Sequence, residues 1–212
     1  KIRSSPPHPR DPLIAFAAST AHTVDIGGAP SPSARDRYEE GLTIPICKIV
    51  EAGTESPVVL SFLEENLRQP TETLGDIRAQ FAAYRDCARM LNRLFDEEGI
   101  DGLAVVADEI IKRSQLSMEE AIEALPDGTY TDGFDIDGVD QPLRVECTVT
   151  INGNAISIDF TGTSGQVLWP INSVLNYTQA YACYAVKCLL DPNAPNNAGT
   201  LAPITVSAPE GC

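Results

Sequence analysis

The sequence has few basic residues. Its 212 residues include 15 Lys and Arg against 30 Asp and Glu, which gives a formal net charge of −15. Affinity for nucleic acid comes mainly from clustered Lys and Arg, so the charge argues against such a partner. Long apolar runs are also missing: Leu13–Ser19 and Ala180–Leu190 fall short of the roughly 20 residues that a membrane-spanning helix needs. The sequence therefore predicts binding to neither nucleic acid nor membrane.

Closely paired cysteines are absent as well. The six cysteines include no CxxC pair, and the two nearest, Cys183 and Cys188, lie five residues apart in an apolar run. A structural zinc site needs ligand pairs at shorter spacing, together with a second pair or histidines. The chain also lacks a basic and then apolar leader. We therefore expect reduced thiols in a cytoplasmic protein.

The apolar content, 43% of residues, is sufficient for a folded core. Between Leu74 and Glu98 apolar residues recur every three or four positions, and Gly99 then supplies a helix C-cap. Asp101 is placed to cap a second helix. The Ser-Met-Glu-Glu pattern from Ser117 predicts a capping box before a short third helix.

After Asp127-Gly128 the apolar period changes to two. A β-hairpin is predicted here by three features. These are the alternating apolar residues of Leu143–Ile151, the turn signal Asn152-Gly153, and a second alternating segment, Ala155–Phe160. A helix is predicted from about Val174 to Leu190, before Asp191-Pro192, and a last strand over Ile204–Ser207. The acidic run from 132 to 138 departs from the EF-hand order and is interpreted as a solvated hairpin loop.

The N-terminal third combines short apolar segments with Gly- and Pro-rich loops. Leu13–Ser19 predicts a buried strand, and Leu42–Val50 predicts an edge or interrupted strand because it contains Pro45. The expected fold is α+β: an antiparallel sheet or hairpins, a segregated helical pair in the middle and a further helix near the C-terminus. The corresponding regions are 1–70, 71–125 and 126–212.

His22 and Asp25 are the first candidate site residues. They lie three positions apart, after an apolar segment and before Gly27-Gly28, and imidazole and carboxylate are both common metal ligands. Two ligands do not complete a site, so at least one more would have to come from elsewhere. The alternative interpretation of His22 is an ordinary hydrogen bond within a turn.

Two other segments carry candidate polar groups. Thr163 and Ser164 follow a predicted strand and offer hydroxyls and backbone amides, although an ordinary strand-to-loop turn has the same composition. The side chains of Arg78 and Gln80 project from the predicted helix on faces other than the apolar one. There they can either line a cleft or remain solvated. No GxxxxGK[ST] loop and no GxSxG motif is present, so neither ATP binding nor a serine nucleophile has motif support.

Taken in order, these motifs resemble the hydantoinase B/5-oxoprolinase family. The resemblance is collinear over roughly residues 13–212. Its segments are Ala21–Gly28, Tyr38–Pro45, Gly75–Gln80, Phe134–Gly138, Ile158–Ser164, Pro170–Asn172, Asn196–Gly199 and Pro203–Val206. Members of this family usually run to more than twice the present length, so the resemblance implies that the sequence is one part of a single hydantoinase B-type catalytic subunit.

The resemblance implies an ATP-dependent hydrolase that opens cyclic amides such as hydantoins, 5-oxoproline or lactams. It further implies a hydantoinase A-type partner subunit that binds most of the ATP, and a divalent metal, Zn, Mn or Fe. His22 would be a metal ligand and Asp25 a ligand or a neighbour of one. Arg78, Gln80, Thr163 and Ser164 would be catalytic residues that orient substrate or phosphate.

Two other functions fit the same resemblance. One is a subunit of an acetone- or acetophenone-type ATP-dependent carboxylase, which acts on a ketone with bicarbonate. The other is a non-catalytic scaffold subunit. Thr23 stands where the family usually has a second histidine, and the family's upstream His-x-x-Asp segment is not in this sequence. Both departures weigh against a complete metal site in this chain.

Overall fold

The computed structural model describes residues 13–29, 33–100 and 102–212. Its contacts divide the chain into two compact units, Lys1–Leu103 and Ala104–Cys212. Each unit has a hydrophobic core of its own. The predicted cap residue Asp101 lies outside the described residues. None of the helices in the described ranges is long and apolar enough to cross a membrane.

The first unit contains a small hairpin, two helices and long loops. Strand β1 (Val50–Glu51) pairs antiparallel with β2 (Thr54–Glu55), and helices α1 (Pro57–Asn66) and α2 (Pro70–Glu98) follow. Each helix has proline in its first turn, where the missing N–H costs no intrahelical hydrogen bond. Helix α2 ends as predicted at Gly99, which has the left-handed conformation.

The core of the first unit is formed by three leucines, Leu63, Leu67 and Leu74. Ile26 and Leu42, from two separate loops, are partly buried and pack against these leucines. Apolar burial in this unit therefore also holds the loop that carries the candidate residues His22 and Asp25.

The second unit is built on a four-stranded sheet in the order β3-β4-β5-β6. Strands β3 (Gly128–Ile136), β4 (Leu143–Asn152) and β5 (Ala155–Asp159) pair antiparallel, whereas β6 (Ile204–Ser207) pairs parallel with β5. The predicted α+β fold is confirmed. The parallel pair is an addition that the sequence pattern did not indicate.

Three helices complete the second unit: α3 (Ala104–Glu123), α4 (Leu175–Leu190) and the short α5 (Ala198–Leu201). The buried residues from α3, α4, β5 and β6 form one core: Met118, Ile122, Ile156, Ile158, Cys183 and Ile204. Helix α5 approaches α3 closely at Gly199, where a Cβ would lie 1.9 Å from the backbone oxygen of Ile111. Only glycine fits this contact.

Most predictions in the second unit are confirmed. The hairpin, α4 and β6 are where the sequence placed them, although the register pairs Asn152 with Ala155, so the two loop residues are Gly153 and Asn154. The capping box at Ser117 is wrong, because α3 continues through it and the Ser117 hydroxyl donates to Asp191 Oδ2 at 2.7 Å.

The interpretation of the acidic run 132–138 as a loop is also largely wrong. Its residues up to Ile136 belong to strand β3, where Asp132 is paired with Cys147 and Asp135 with Arg144. Only the end of the run enters the connection to β4. Pairing along the whole strand therefore outweighs the low intrinsic strand preference of aspartate.

Predictions in the first unit are less successful. Leu13–Ser19 forms no strand beyond an isolated bridge residue at Ala15, and Phe16 is 67% exposed. Of the segment Leu42–Val50, only its last residue enters a strand, consistent with the missing donor at Pro45. Helix α1 was not predicted, because its ten residues carry too weak a periodic signal.

Candidate functional site

The loop that carries His22 is held by backbone contacts with a second loop. Ala29 N donates to Glu39 O at 2.7 Å, and Leu42 N donates to Ile26 O at 3.0 Å. At Gly28, where φ is 82°, an added Cβ would lie 2.4 Å from Glu39 O. The close approach of the two loops therefore requires glycine at this position.

Asp25 fixes the conformation of the same loop through both carboxylate oxygens. Oδ1 accepts from Gly27 N at 3.0 Å, and Oδ2 forms an ion pair with Arg68 Nη1 at 3.1 Å. The Gly27 amide is the main cause that lowers the pKa of Asp25; burial opposes this shift, and Arg68 lowers the pKa further. The carboxylate is ionised and already engaged within the loop.

His22 is exposed on this loop. Within the described ranges, no group of three or more His, Cys, Asp or Glu side chains is placed to hold a metal ion. Zinc centres in proteins use three or four such ligands. The two predicted ligands, one of them paired with Arg68, therefore do not fit a complete metal centre by themselves.

Arg78 and Gln80 lie on α2 in the first unit, and each contacts a different partner. Arg78 Nη2 pairs with Glu55 Oε2 at 3.3 Å. Gln80 Oε1 accepts from Ser19 Oγ at 3.3 Å, and Ser19 Oγ lies 2.6 Å from the hydroxyl of Tyr84. Both predicted residues are thus tied to neighbouring segments of their own unit.

Thr163 and Ser164, in the second unit, extend the sheet beyond the end of β5. Thr163 Oγ1 accepts from Glu146 N at 3.1 Å and donates to Glu146 O at 3.0 Å. Ser164 Oγ accepts from Arg144 N at 2.8 Å, and Ser164 N donates to Arg144 O at 2.9 Å. Both hydroxyls therefore satisfy backbone groups of β4 that β5 no longer reaches.

Thr163 and Ser164 also line a cavity of about 640 Å³ in the second unit. This volume is typical of small-molecule sites. Its walls come from the start of β4, the segment after β5, the beginning of α4 and the turn at 208–212. The apolar part of the wall includes Leu143, Val145, Phe160, Val174 and Leu175.

Among the described residues, Arg144 is the one basic residue that lines this cavity. Its Nε donates to Glu146 Oε2 at 2.8 Å, and its Nη1 lies 3.6 Å from Asp135 Oδ1. The hydrogen bond to Glu146 is the main cause that raises the pKa of Arg144, so the guanidinium stays charged. Two carboxylates already compensate this charge.

A scan against family models matches the hydantoinase B/oxoprolinase model to residues 4–212. The chain belongs to the hydantoinase B/oxoprolinase family. Among curated relatives, it is 37% identical to the B-type subunit of a putative D-/L-hydantoinase from Pseudomonas sp. (strain NS671), over 95% of this chain and 37% of that protein. It is 26% identical to 5-oxoprolinase 1 of Arabidopsis thaliana, over 94% of this chain and 18% of that protein.

Two solved structures resemble this chain. The ATP-dependent caprolactamase from Pseudomonas jessenii matches with a TM-score of 0.78 and 26% identity, covering 88% of this chain and 33% of that one. Acetone carboxylase in its nucleotide-free form matches with a TM-score of 0.68 over 86% of this chain and 27% of that one. At 19% identity, this second likeness shows the fold alone. The chain thus spans between 18% and 37% of the length of these four proteins.

The predicted site residues of this chain fall into two groups. His22, Asp25, Arg78 and Gln80 belong to the first unit, whereas Thr163 and Ser164 belong to the second. Sequence reasoning missed their partners: Ser19, Glu55, Arg68, Tyr84, Arg144 and Glu146. Apart from the partners on β4, which the predicted hairpin brings near the Thr163-Ser164 segment, no local pattern marks these residues.

Proposed function

We propose that this chain is part of the B-type subunit of an ATP-dependent cyclic-amide hydrolase in the cytoplasm. The observation that carries the proposal is the likeness in fold and sequence to the ATP-dependent caprolactamase. Caprolactam is a cyclic amide, as are hydantoins and 5-oxoproline. The match to a hydantoinase of the same subunit type supports the same class of substrate.

The chemistry explains why ATP would be needed. The carbonyl carbon of an amide is a poor electrophile, and transfer of the γ-phosphoryl group of ATP to the amide oxygen would release ADP and activate that carbon. Water would then add to the carbon, the C–N bond would break, and phosphate would leave. We assign the nucleotide mainly to a hydantoinase A-type partner subunit, since no phosphate-binding loop motif occurs in this chain.

In this proposal the chain's own residues bind and orient the cyclic amide. Thr163 and Ser164 form part of a cavity wall that the β4 backbone fixes in place. Arg78 and Gln80 are proposed to orient substrate or phosphate from a helix whose contacts with Glu55, Ser19 and Tyr84 limit their movement. A preorganised polar group stabilises developing charge without first having to reorient.

His22 is proposed as one ligand of a divalent metal, with the remaining ligands supplied from outside the described residues. Its exposed imidazole is chemically suited to Zn, Mn or Fe. Asp25 is proposed to act beside it by fixing the loop, because its carboxylate oxygens accept from Gly27 and pair with Arg68. A bound divalent metal supplies either polarisation of a carbonyl or a lower pKa for a coordinated water.

The test uses the full-length protein purified with its partner subunit. ADP formation is measured with a panel of hydantoins and lactams, and separately with ketones plus bicarbonate. The proposal expects stimulation by at least one cyclic amide. Stimulation by ketone with bicarbonate alone would make the protein a carboxylase subunit. If neither substrate class stimulates ADP formation in an intact and metal-loaded complex, the scaffold function is favoured.

Metal content gives a second readout. We expect His22→Ala to lose bound metal together with turnover, and Asp25→Asn to keep more metal than His22→Ala. Thr20→Ala, on the same exposed segment, is the matched control and should keep both. Full metal occupancy in His22→Ala would remove this residue from the proposed ligand set.

A further inference from the structure

The cavity of the second unit has a wall that is mainly apolar. Leu143 and Val145 from β4, Phe160 after β5, and Val174 and Leu175 at the start of α4 all line it. Such a surface favours an apolar ligand by roughly 25 cal/mol for each Å² of apolar area removed from water. The wall therefore suits a hydrocarbon ring or an apolar ring substituent.

Two lining side chains have spare hydrogen-bonding capacity. Within the described residues, no hydrogen bond or ion pair involves the side chains of Gln166 and Glu210, although Gln166 N donates to Gly211 O. A carboxamide both donates and accepts, and a carboxylate accepts. Together they match the N–H and C=O of an amide group, which offers one donor and one acceptor.

The charge of the lining disfavours an anionic ligand. Its single basic side chain, Arg144, is already paired with Glu146 and Asp135, and Glu210 adds a negative charge without a basic partner in the described part of the chain. A ligand carboxylate would therefore lose hydration and meet no uncompensated cation. Burying a charge without a partner is unfavourable.

We propose that this cavity binds uncharged cyclic amides with an apolar ring or substituent, and that it discriminates against cyclic amides that carry a carboxylate. The inference rests on the proposed function and adds the substrate class. Caprolactam and 5-alkyl hydantoins belong to the favoured class, whereas 5-oxoproline belongs to the disfavoured one.

The test compares three cyclic amides, two of which differ by one group. 2-Pyrrolidinone has the ring of 5-oxoproline without its carboxylate, and caprolactam adds apolar ring atoms. Binding of all three to the intact complex is measured without ATP by ligand-observed NMR titration. We expect caprolactam to bind most tightly and 5-oxoproline most weakly. Equal binding of 2-pyrrolidinone and 5-oxoproline, or no binding of any probe, would overturn the proposal.

One substitution tests whether the probes bind in this cavity. Val174 lines the cavity but is 73% exposed, so Val174→Arg introduces a cation there without disturbing the core. We expect it to shift the binding ratio toward 5-oxoproline by up to about fivefold, the range of a partly exposed ion pair. Val174→Gln controls for size. Leu189→Arg controls for charge on the same helix outside the cavity, where Leu189 is 81% exposed.

Separate measurement of ADP formation distinguishes the two proposals. If cyclic amides stimulate ADP formation but Val174→Arg leaves the binding ratio unchanged, the cavity is not the substrate site and the hydrolase function stands. If Val174→Arg shifts the ratio but no cyclic amide stimulates ADP formation, the binding inference stands and the hydrolase function fails. A shift of the same size in Leu189→Arg would also overturn the assignment to this cavity.

Discussion

The two units hold their candidate residues by different physical means. In the second unit, Thr163 and Ser164 bond to the backbone of β4, whose neighbour β5 contributes to a six-residue buried core. In the first unit, the core has three buried leucines, and Asp25 and Arg78 depend on ion pairs that solvent reaches. Local stability follows buried apolar contact, so the first unit should open more easily.

The largest expected effect is in the core of the second unit. Ile122 is fully buried on α3, and Ile122→Ala should reduce the free energy of unfolding by about 2–5 kcal/mol through lost transfer energy and a cavity. Ile110→Ala, at a 48% exposed site on the same helix, should cost about 1 kcal/mol or less. Urea unfolding followed by fluorescence of Trp169, the single tryptophan, reports on this unit. Equal losses for both variants would contradict the description of the core.

A smaller and more local effect is expected at the paired loops of the first unit. Gly27 and Gly28 both have positive φ, but only at Gly28 would a Cβ meet the backbone of the facing loop. Both alanine variants carry backbone strain of about 1–2 kcal/mol. Gly28→Ala should in addition break the loop pairing and abolish hydrogen-exchange protection of the Ala29 and Leu42 amides. The comparison fails if Gly27→Ala removes that protection to the same extent.

Cysteine reactivity should follow burial and not simply the unit, because Cys188 of the second unit is exposed. Cys47 and Cys87 in the first unit are exposed, whereas Cys183 in the second unit is buried, and burial raises the pKa of the Cys183 thiol. The thiolate is the reactive species, so iodoacetamide should modify Cys183 several-fold more slowly than the two exposed cysteines. Peptide mapping by mass spectrometry over time measures this. Early modification of Cys183 in the folded protein would show that its helix is not packed as described.

The smallest expected effect concerns the pH dependence of the Asp25 loop. The pKa of Asp25 is lower in the folded chain than the ordinary value of 3.8, so its stabilising contribution is present above that value and is lost as pH falls through the lowered pKa. Arg68→Gln should raise the pKa of Asp25 only part of the way back, because the Gly27 amide is the larger cause. An NMR titration of the carboxyl group measures it. A full return to the ordinary value would mean that Arg68, rather than the backbone, sets the pKa.

The sequence predicted the second unit better because burial there imposes regular patterns. Alternation along β4 is needed to bring Cys147, Val149 and Ile151 against the core. Residues of α4 pack against the same core, and the bounds of this helix were also predicted from the sequence. In the first unit, Leu13–Ser19 is apolar but mostly not buried. The strand prediction was wrong because it took apolar composition as a sign of burial. Periodicity also could not show that α3 continues through Ser117, since a capping-box pattern is equally compatible with a helix interior.

For the site, the sequence indicated residue types but not partners. The sequence has Gly27-Gly28 directly after the two candidate ligands, and the structure shows why Gly28 is required. The pairing of Asp25 with Arg68 spans 43 residues, and that of Arg78 with Glu55 spans 23, so neither follows from local spacing. The apolar cavity is likewise assembled from segments far apart in sequence, and only the folded chain brings them together.

The proposed function in an ATP-dependent cyclic-amide hydrolase is tested most directly by ADP formation by the full-length protein, purified with the proposed partner subunit. We predict that an uncharged lactam or hydantoin raises the rate of ADP formation and is itself converted to the ring-opened product. ADP formation that responds to ketone and bicarbonate, but to no cyclic amide, would contradict it.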